Sequence, residues 1–323
     1  MEPQGNAALP NGFELEGYTI DRQLSLGGFS VVYLAHDKLF REVVIKEYLP
    51  NKLALRGPGA IVPTVGEEHL GLFRHGMKSF FEEGRALSRL NHPNVVRVTN
   101  FFRANETVYL VMEYMRGCTL QTFIRKYQNY VTEHFIRNVF IRLLNGLRVV
   151  HSQRLLHLDI KPSNIYLRAD KKPVLIDFGS VRQALISSEA MLSPMYTPGF
   201  ASPEHYGTRK SIGPWSDIYS VGATLYTCLS GVSPQPADER QKHDQIIPAS
   251  VRWEGEFSEQ LLSTIDHCLC LDYLERVQSA FALQKALAEG AEKRESGAGK
   301  SSGSWLKRLV HKFNPIIVDR TLS

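Results

Sequence analysis

The sequence predicts an α+β protein of two lobes, a small β-rich one with a single helix and a larger helical one. Three observations carry this. Short β-branched and aromatic runs fill residues 18–48 and recur at 95–98 and 107–112. From about residue 119 the apolar spacing becomes helical, with long stretches at 133–151 and 257–271. A chain of 323 residues, 43% hydrophobic and 22% charged, can form two ordinary domains or one large bilobed one. The same composition excludes a wholly disordered or collagen-like chain. Cys118, Cys228, Cys268 and Cys270 are too few and too irregular for a disulfide framework or a four-ligand zinc site, so a reducing, cytoplasmic setting is expected. The net charge of +5 is mild and Lys and Arg are scattered, so no nucleic-acid partner is expected.

In chain order, residues 1–17 are rich in Gly, Pro and Asn and read as a flexible leader. Residues 1–10 have neither a basic start nor an apolar core, so no secretory signal is expected. Residues 30–35 and 42–46 read as strands joined by a charged turn. Residues 49–76 form an insertion with little periodicity. A helix is predicted over 77–90, with Phe80, Phe81, Ala86, Leu87 and Leu90 on its apolar side, and Asn91, His92 and Pro93 stop it. Residues 218–237 are free of charge and almost long enough to cross a bilayer. Their Ser, Thr, Gly and Pro content favours a buried central helix instead. Residues 290–304 read as a Gly/Ser linker. Residues 305–323 form a basic tail in which Trp305, Leu306, Leu309, Val310 and Phe313 share one helical stripe. That stripe fits an anionic membrane surface, a protein partner or the protein's own large lobe. Peripheral membrane attachment is therefore a second expectation for localisation.

The chemistry concentrates in His157, Asp159, Lys161 and Asn164, followed thirteen residues after Asn164 by Asp177, Phe178 and Gly179. Two carboxylates and an amide at the mouths of a strand and a loop suit a magnesium–phosphate site. Magnesium takes hard oxygen ligands and keeps several waters, so Asn164 and Asp177 need supply only one or two each. Asp159 is then free to accept the proton of an incoming hydroxyl, and Lys161 to neutralise the transferred phosphoryl group.

The set H-x-D-x-K-x-x-N, D-F-G and a downstream S-P-E resembles the eukaryotic-like protein serine/threonine kinases, over residues 18 to 287. Val44, Ile45, Lys46 and Glu47, with a long insertion before the helix, are similar to a bacterial subgroup. The resemblance implies a kinase domain over 18–289, with lobes at about 18–112 and 116–289, that transfers the γ-phosphoryl group of Mg-ATP to Ser or Thr of proteins, with Mn2+ able to replace Mg2+. It makes Lys46 the lysine that grips the phosphates, paired with Glu83 rather than Glu82, and Met112 the gatekeeper. Backbone groups of Glu113 and Met115 would meet adenine, between Val32, Val44 and Tyr166. Asn164 and Asp177 would hold the metal, and Asp159 and Lys161 would act at the hydroxyl. Gly27 and Gly28 carry the phosphate loop, while Ser25 and Ser30 stand where the family has glycine and narrow its access to φ > 0. Thr197 would bond toward Asp159 and Lys161. Glu204 would pair with Arg276, and Asp217 would cap a helix or anchor the catalytic loop. Lys161 marks a Ser/Thr preference. The rival readings are a catalytically weak nucleotide-binding scaffold, motivated by Ser25 and Ser30, and a small-molecule phosphotransferase. The first is opposed by the intact transfer set, the second by the docking segment 197–204.

Overall fold

The structure is a computed structural model and describes residues 6–178, 196–207 and 211–295. Gly179, the rest of the segment up to Met195, and the basic tail lie outside the described residues.

The β-branched and aromatic runs build an antiparallel sheet of β1 (Glu14–Leu15), β2 (Tyr18–Leu26), β3 (Ser30–Asp37), β4 (Glu42–Tyr48), β8 (Thr107–Glu113) and β7 (Val98–Ala104), in that spatial order. Two short strands, β5 (Ala54–Leu55) and β6 (Thr64–Val65), pair within the insertion. One core cluster gathers Ile20, Val31, Tyr33, Ile45, Tyr48, Phe73, Phe80 and Leu110 between this sheet and helix α1 (Leu70–Leu87). A second core fills the helical lobe, around α2 (Leu120–Tyr127), α3 (Glu133–Ser152), α4 (Pro214–Ser230), α5 (Ala237–Lys242), α6 (Ala249–Arg252), α7 (Glu259–Cys268) and α8 (Ala280–Glu295). At its upper edge, β9 (Gly117–Thr119), β10 (Ile165–Arg168) and β11 (Pro173–Leu175) form a small sheet in the order β11-β10-β9.

Helix α4 is buried all round, every residue from 216 to 229 included. This is the buried central helix expected, and no helix among the described residues is long and apolar enough to cross a membrane. Asn94 ties the lobes together. Its side-chain amide donates to the Pro173 carbonyl at 2.7 Å, and its own carbonyl accepts from Leu175 N–H at 2.9 Å.

Four expectations are corrected. The leader is not loose over residues 6–17, because Leu9 and Leu15 are buried and Asn6 donates to the Leu49 and Ala54 carbonyls. Helix α1 begins at Leu70 rather than 77 and ends at Leu87. Its opening turns carry Gly71 and Gly76, poor helix formers that hide the apolar spacing of Phe73, Phe80 and Leu87. Gly76 has a packing reason, since a Cβ there would sit 1.9 Å from the Tyr48 hydroxyl. Residues 95–97 make a single bridge, Val95 to Leu175, and the strand starts at Val98. Finally, α8 runs to Glu295, so the stretch read as linker is helical over 290–295.

Candidate active site

The candidate side chains are delivered to the cleft by strands, by helix α1 and by the loop that α4 anchors. Asp217, in the first turn of α4, is fully buried and accepts from the backbone N–H of Leu158 (2.7 Å) and His157 (2.9 Å). Its Oδ2 also meets His151 Nε2 at 2.7 Å. Anchoring the loop is thus its main role, while Ser216 accepts the Gly213 N–H at the head of the helix. Leu158 is held at φ +61°, a left-handed conformation costly for a branched side chain, and these bonds over-determine it.

Beyond that anchor the loop turns Asp159 outward. Its Oδ2 accepts from Lys161 Nζ at 2.8 Å and from Asn164 Nδ2 at 2.9 Å, and its Oδ1 accepts from Thr197 Oγ1 at 2.8 Å. Lys161 Nζ also donates to Thr197 Oγ1 at 2.6 Å. Acid, lysine, amide and hydroxyl therefore form one network across the loop and the docking segment, with Thr197 bonded as expected.

Asp177 follows β11 at φ +61° and forms an ion pair with Lys46 of β4. The Lys46 ammonium holds its carboxyl down at about 2, so it is ionised at neutral pH. The Asn164 carbonyl accepts from Ile176 N–H at 3.0 Å, which fixes Asn164 beside the residue preceding Asp177. The Asn164 amide nitrogen donates to Asp159, and its Oδ1, which accepts a long bond from the Ser163 hydroxyl at 3.4 Å, is the side-chain atom able to ligate a hard cation. An ionised carboxylate and an amide oxygen are the donor set a magnesium ion takes.

Lys46 Nζ lies 5.7 Å from the centroid of the Phe80 ring, and Glu83 follows Phe80 by one helical turn on α1. Glu83 is 2% exposed, which rules out a solvated helix face, whereas Glu82 is half-buried beside Arg85. Gly84 lets α1 come this close, because a Cβ there would lie 2.2 Å from Leu110 Cδ2.

On the adenine side Val44 pairs across strands with Met112, and Val32 with Lys46. Tyr166, on β10, donates its hydroxyl to the Met115 carbonyl at 3.0 Å. Burial pushes the Tyr166 phenol up to about 12. The Met115 carbonyl is thus occupied, which leaves that residue's N–H as its group for a base. Neither Gly27 nor Gly28 has positive φ, and Gly27 N–H bonds Ser30 C=O at 2.9 Å. Ser25 pairs with Val32 just after a register shift in β2 and Ser30 opens β3, so both serines lie in strands. The expected loss of φ > 0 freedom does not arise in this loop conformation.

Below the docking segment, Glu204 and Arg276 form a buried two-pronged pair at 2.9 and 3.2 Å, as expected. Arg276 also donates to the carbonyls of Trp215 and Cys270, which joins docking segment, α4 and lobe. Sequence reasoning missed the Tyr166–Met115 bond and the direct Lys46–Asp177 pair. Neither carries a signal in residue type alone.

A family model described as protein kinase domain matches residues 18–287. The chain is 31% identical over 285 residues to the serine/threonine-protein kinase PknA of Nostoc sp., covering 84% of this chain and 47% of that one. It is 35% identical over 297 residues to the serine/threonine-protein kinase B of Synechocystis sp., covering 87% and 48%. It thus spans about half the length of the curated relatives it matches. The solved structure titled PpkA-294 apo form aligns with a TM-score of 0.78 and 33% identity, over 87% of this chain and 99% of that one.

Proposed function

Because the chain belongs to the protein kinase domain family, alongside bacterial serine/threonine kinases, we propose that it transfers the γ-phosphoryl group of ATP to Ser or Thr hydroxyls of proteins. The observation that carries this is the joined network of Asp159, Lys161, Asn164 and Thr197, set opposite Lys46 and Asp177.

In this reading Asp159 receives the proton of the acceptor hydroxyl and orients its oxygen, and Lys161 offsets charge on the group in transfer. Lys46 grips the nucleotide phosphates, with Glu83 as its counter-charge. Gly28 offers its backbone N–H to the phosphates, while Gly27, whose own N–H bonds Ser30, lets the loop backbone approach them closely. Val32, Val44 and Tyr166 enclose the base, Met112 sets the depth of its pocket, and the backbone of Glu113 and Met115 meets its polar edge. Asn164 and Asp177 hold a divalent cation, Mg2+ by the oxygen donor set and Mn2+ as its substitute, which when bound neutralises phosphate charge. Transfer breaks the bond from the γ-phosphorus to its bridging oxygen and makes one to the acceptor oxygen, leaving ADP and a phosphoprotein.

Asp159→Asn tests the assignment. It should reduce transfer from labelled ATP to a generic basic protein by about a hundredfold or more, while leaving ATP affinity within about twofold, since the carboxylate meets the hydroxyl and not the nucleotide. Parental turnover in this variant would overturn the role of Asp159. A parent that binds ATP without transfer would support the scaffold alternative instead.

For the basic tail, the apolar stripe of Trp305, Leu309 and Phe313 among Lys307, Arg308 and Lys312 supports weak, reversible attachment to an anionic surface. Full-length protein should co-sediment with vesicles containing phosphatidylserine at low salt and be released at high salt. Equal recovery with neutral vesicles would point to a protein partner or the lobe itself.

A further inference from the structure

The first lobe contains a buried ion pair that the chemistry above does not use. Strand β4 alternates its side chains. Lys46 faces the cleft and Tyr48 packs on Phe73 and Phe80 of α1, while Glu47 between them points to the opposite face. There Glu47 meets Arg56, and both side chains are fully enclosed. Glu47 Oε1 accepts from Arg56 Nη1 at 2.6 Å and from the Tyr109 hydroxyl at 2.8 Å. Its Oε2 accepts from Arg56 Nη2 at 2.7 Å and from the Tyr33 hydroxyl at 2.6 Å.

Arg56 also donates to the Ile61 carbonyl and the Tyr33 hydroxyl, and the leader adds further bonds to this cluster. Arg56 Nε donates to the Ala7 carbonyl at 2.8 Å, and the Arg56 N–H donates to Asn6 Oδ1 at 2.7 Å. Ala7 N–H donates back to the Arg56 carbonyl at 2.8 Å, and Leu9 N–H donates to the Tyr33 hydroxyl at 3.1 Å. Asn6 Nδ2 reaches the carbonyls of Leu49 and Ala54. Residues 6–9, the loop 49–56 and the strands β3, β4 and β8 are therefore joined around one carboxylate, the leader through Arg56 and Tyr33.

Enclosing two charges costs several kcal/mol each before their attraction is counted, and an apolar plug of equal volume stabilises as well or better. What a fully bonded pair adds is a single arrangement. Apolar side chains tolerate sliding, whereas two carboxylate oxygens with four donors do not. The register so fixed sets Lys46 opposite Val32 and Leu110, within reach of Asp177.

We infer that residues 6–9 and Arg56 form a strap that positions Lys46 through Glu47, so that Asn6, Arg56 and Glu47 are positioning residues for nucleotide binding. The inference rests on the reading of Lys46 as the residue that grips phosphate.

The experiment compares the full chain with Asn6→Ala, Arg56→Met and Arg56→Lys. Affinity for a non-hydrolysable ATP analogue with magnesium, KM for ATP, KM for a peptide and the melting temperature are read for each, the kinetics well below melting. Asn6→Ala keeps the Glu47–Arg56 pair and removes only leader bonds. It should weaken ATP binding about threefold to tenfold, the effect of one or two lost hydrogen bonds, with peptide KM unchanged. Arg56→Met should weaken it further, and Arg56→Lys should fall between Arg56→Met and the parent. Lower melting temperatures with parental ATP affinity and KM would overturn the inference, because the cluster would then be structural only. An unfolded Arg56→Met beside an Asn6→Ala that binds ATP normally would overturn it equally. A parent that fails to bind ATP at all would overturn the functional reading and the strap with it, an outcome visible before any variant is compared.

Discussion

Burial holds the imidazoles of His157 and His205 below the usual histidine range, although Asp217 pulls both upward. His157 is 0% exposed and packs its ring on Phe178 at 4.4 Å, and His205 Nδ1 lies 2.9 Å from the Ser202 hydroxyl. In the unfolded chain each takes up a proton near pH 6.5, so below that pH the unfolded state binds more protons than the folded one. Their contribution is complete above about pH 7 and is lost as pH falls through about 6.5 toward the depressed folded values, at up to about 1.4 kcal/mol per pH unit for each histidine. The Lys46–Asp177 pair runs the same way in a lower window, complete above about pH 4 and lost toward about pH 2. Loss of stability as pH falls below about 7 therefore belongs to these two histidines and to His92, which burial also depresses. His205→Gln should flatten the dependence of melting temperature on pH in that range, measured by calorimetry at matched ionic strength. An unchanged slope would remove His205 from the account.

At the scale of elements, strands and catalytic loop were legible for different reasons. The β-branched and aromatic runs of β3, β4 and β8 report a buried sheet directly, because such side chains pack well on a pleated surface. The loop from His157 to Asn164 was legible as a constellation, since its residues lie close in sequence and act on one another. Helix α1 was half hidden. Gly71, Gly76 and Gly84 weaken its helical signal, and two of them are explained only by what they touch, Tyr48 and Leu110. The leader was misread because its Gly, Pro and Asn content is that of a flexible tail. Asn6 finds partners 43 to 50 residues away, and composition holds no trace of such long-range bonds. Glu47 and Arg56 carry no such signal either, because β4 also holds Glu42 and Lys46, and only the structure shows which of its charges is enclosed.

Across the whole molecule, the cleft is organised from beneath rather than from the segment in front of it. Asp217 holds the backbone of His157 and Leu158, Glu204 and Arg276 hold the docking segment, and Thr197 joins that segment to Asp159 and Lys161. Many kinases place an arginine at the position of Leu158 to meet a phosphorylated residue of the activation segment, through a bidentate, charge-assisted bond. Leu158 is 2% exposed and has neither charge nor side-chain donor, so that route to the catalytic loop is closed. The contacts that shape Asp159 are all made by unmodified side chains. Phosphorylation of Ser187, Ser188 or Ser193, which lie outside the described residues, should therefore not be needed to assemble the loop. Changing those three serines together to alanine, with Thr197 kept for its bonds to Asp159 and Lys161, should leave the steady-state rate on an exogenous peptide within about threefold of the parent's, since no transition-state contact is removed. Phosphatase treatment of the parent should likewise cost little. A loss of about tenfold or more in either experiment, roughly 1.4 kcal/mol of transition-state stabilisation, would mean that a cation elsewhere reads the phosphate. Arg182, in that same segment, would be the first candidate to replace.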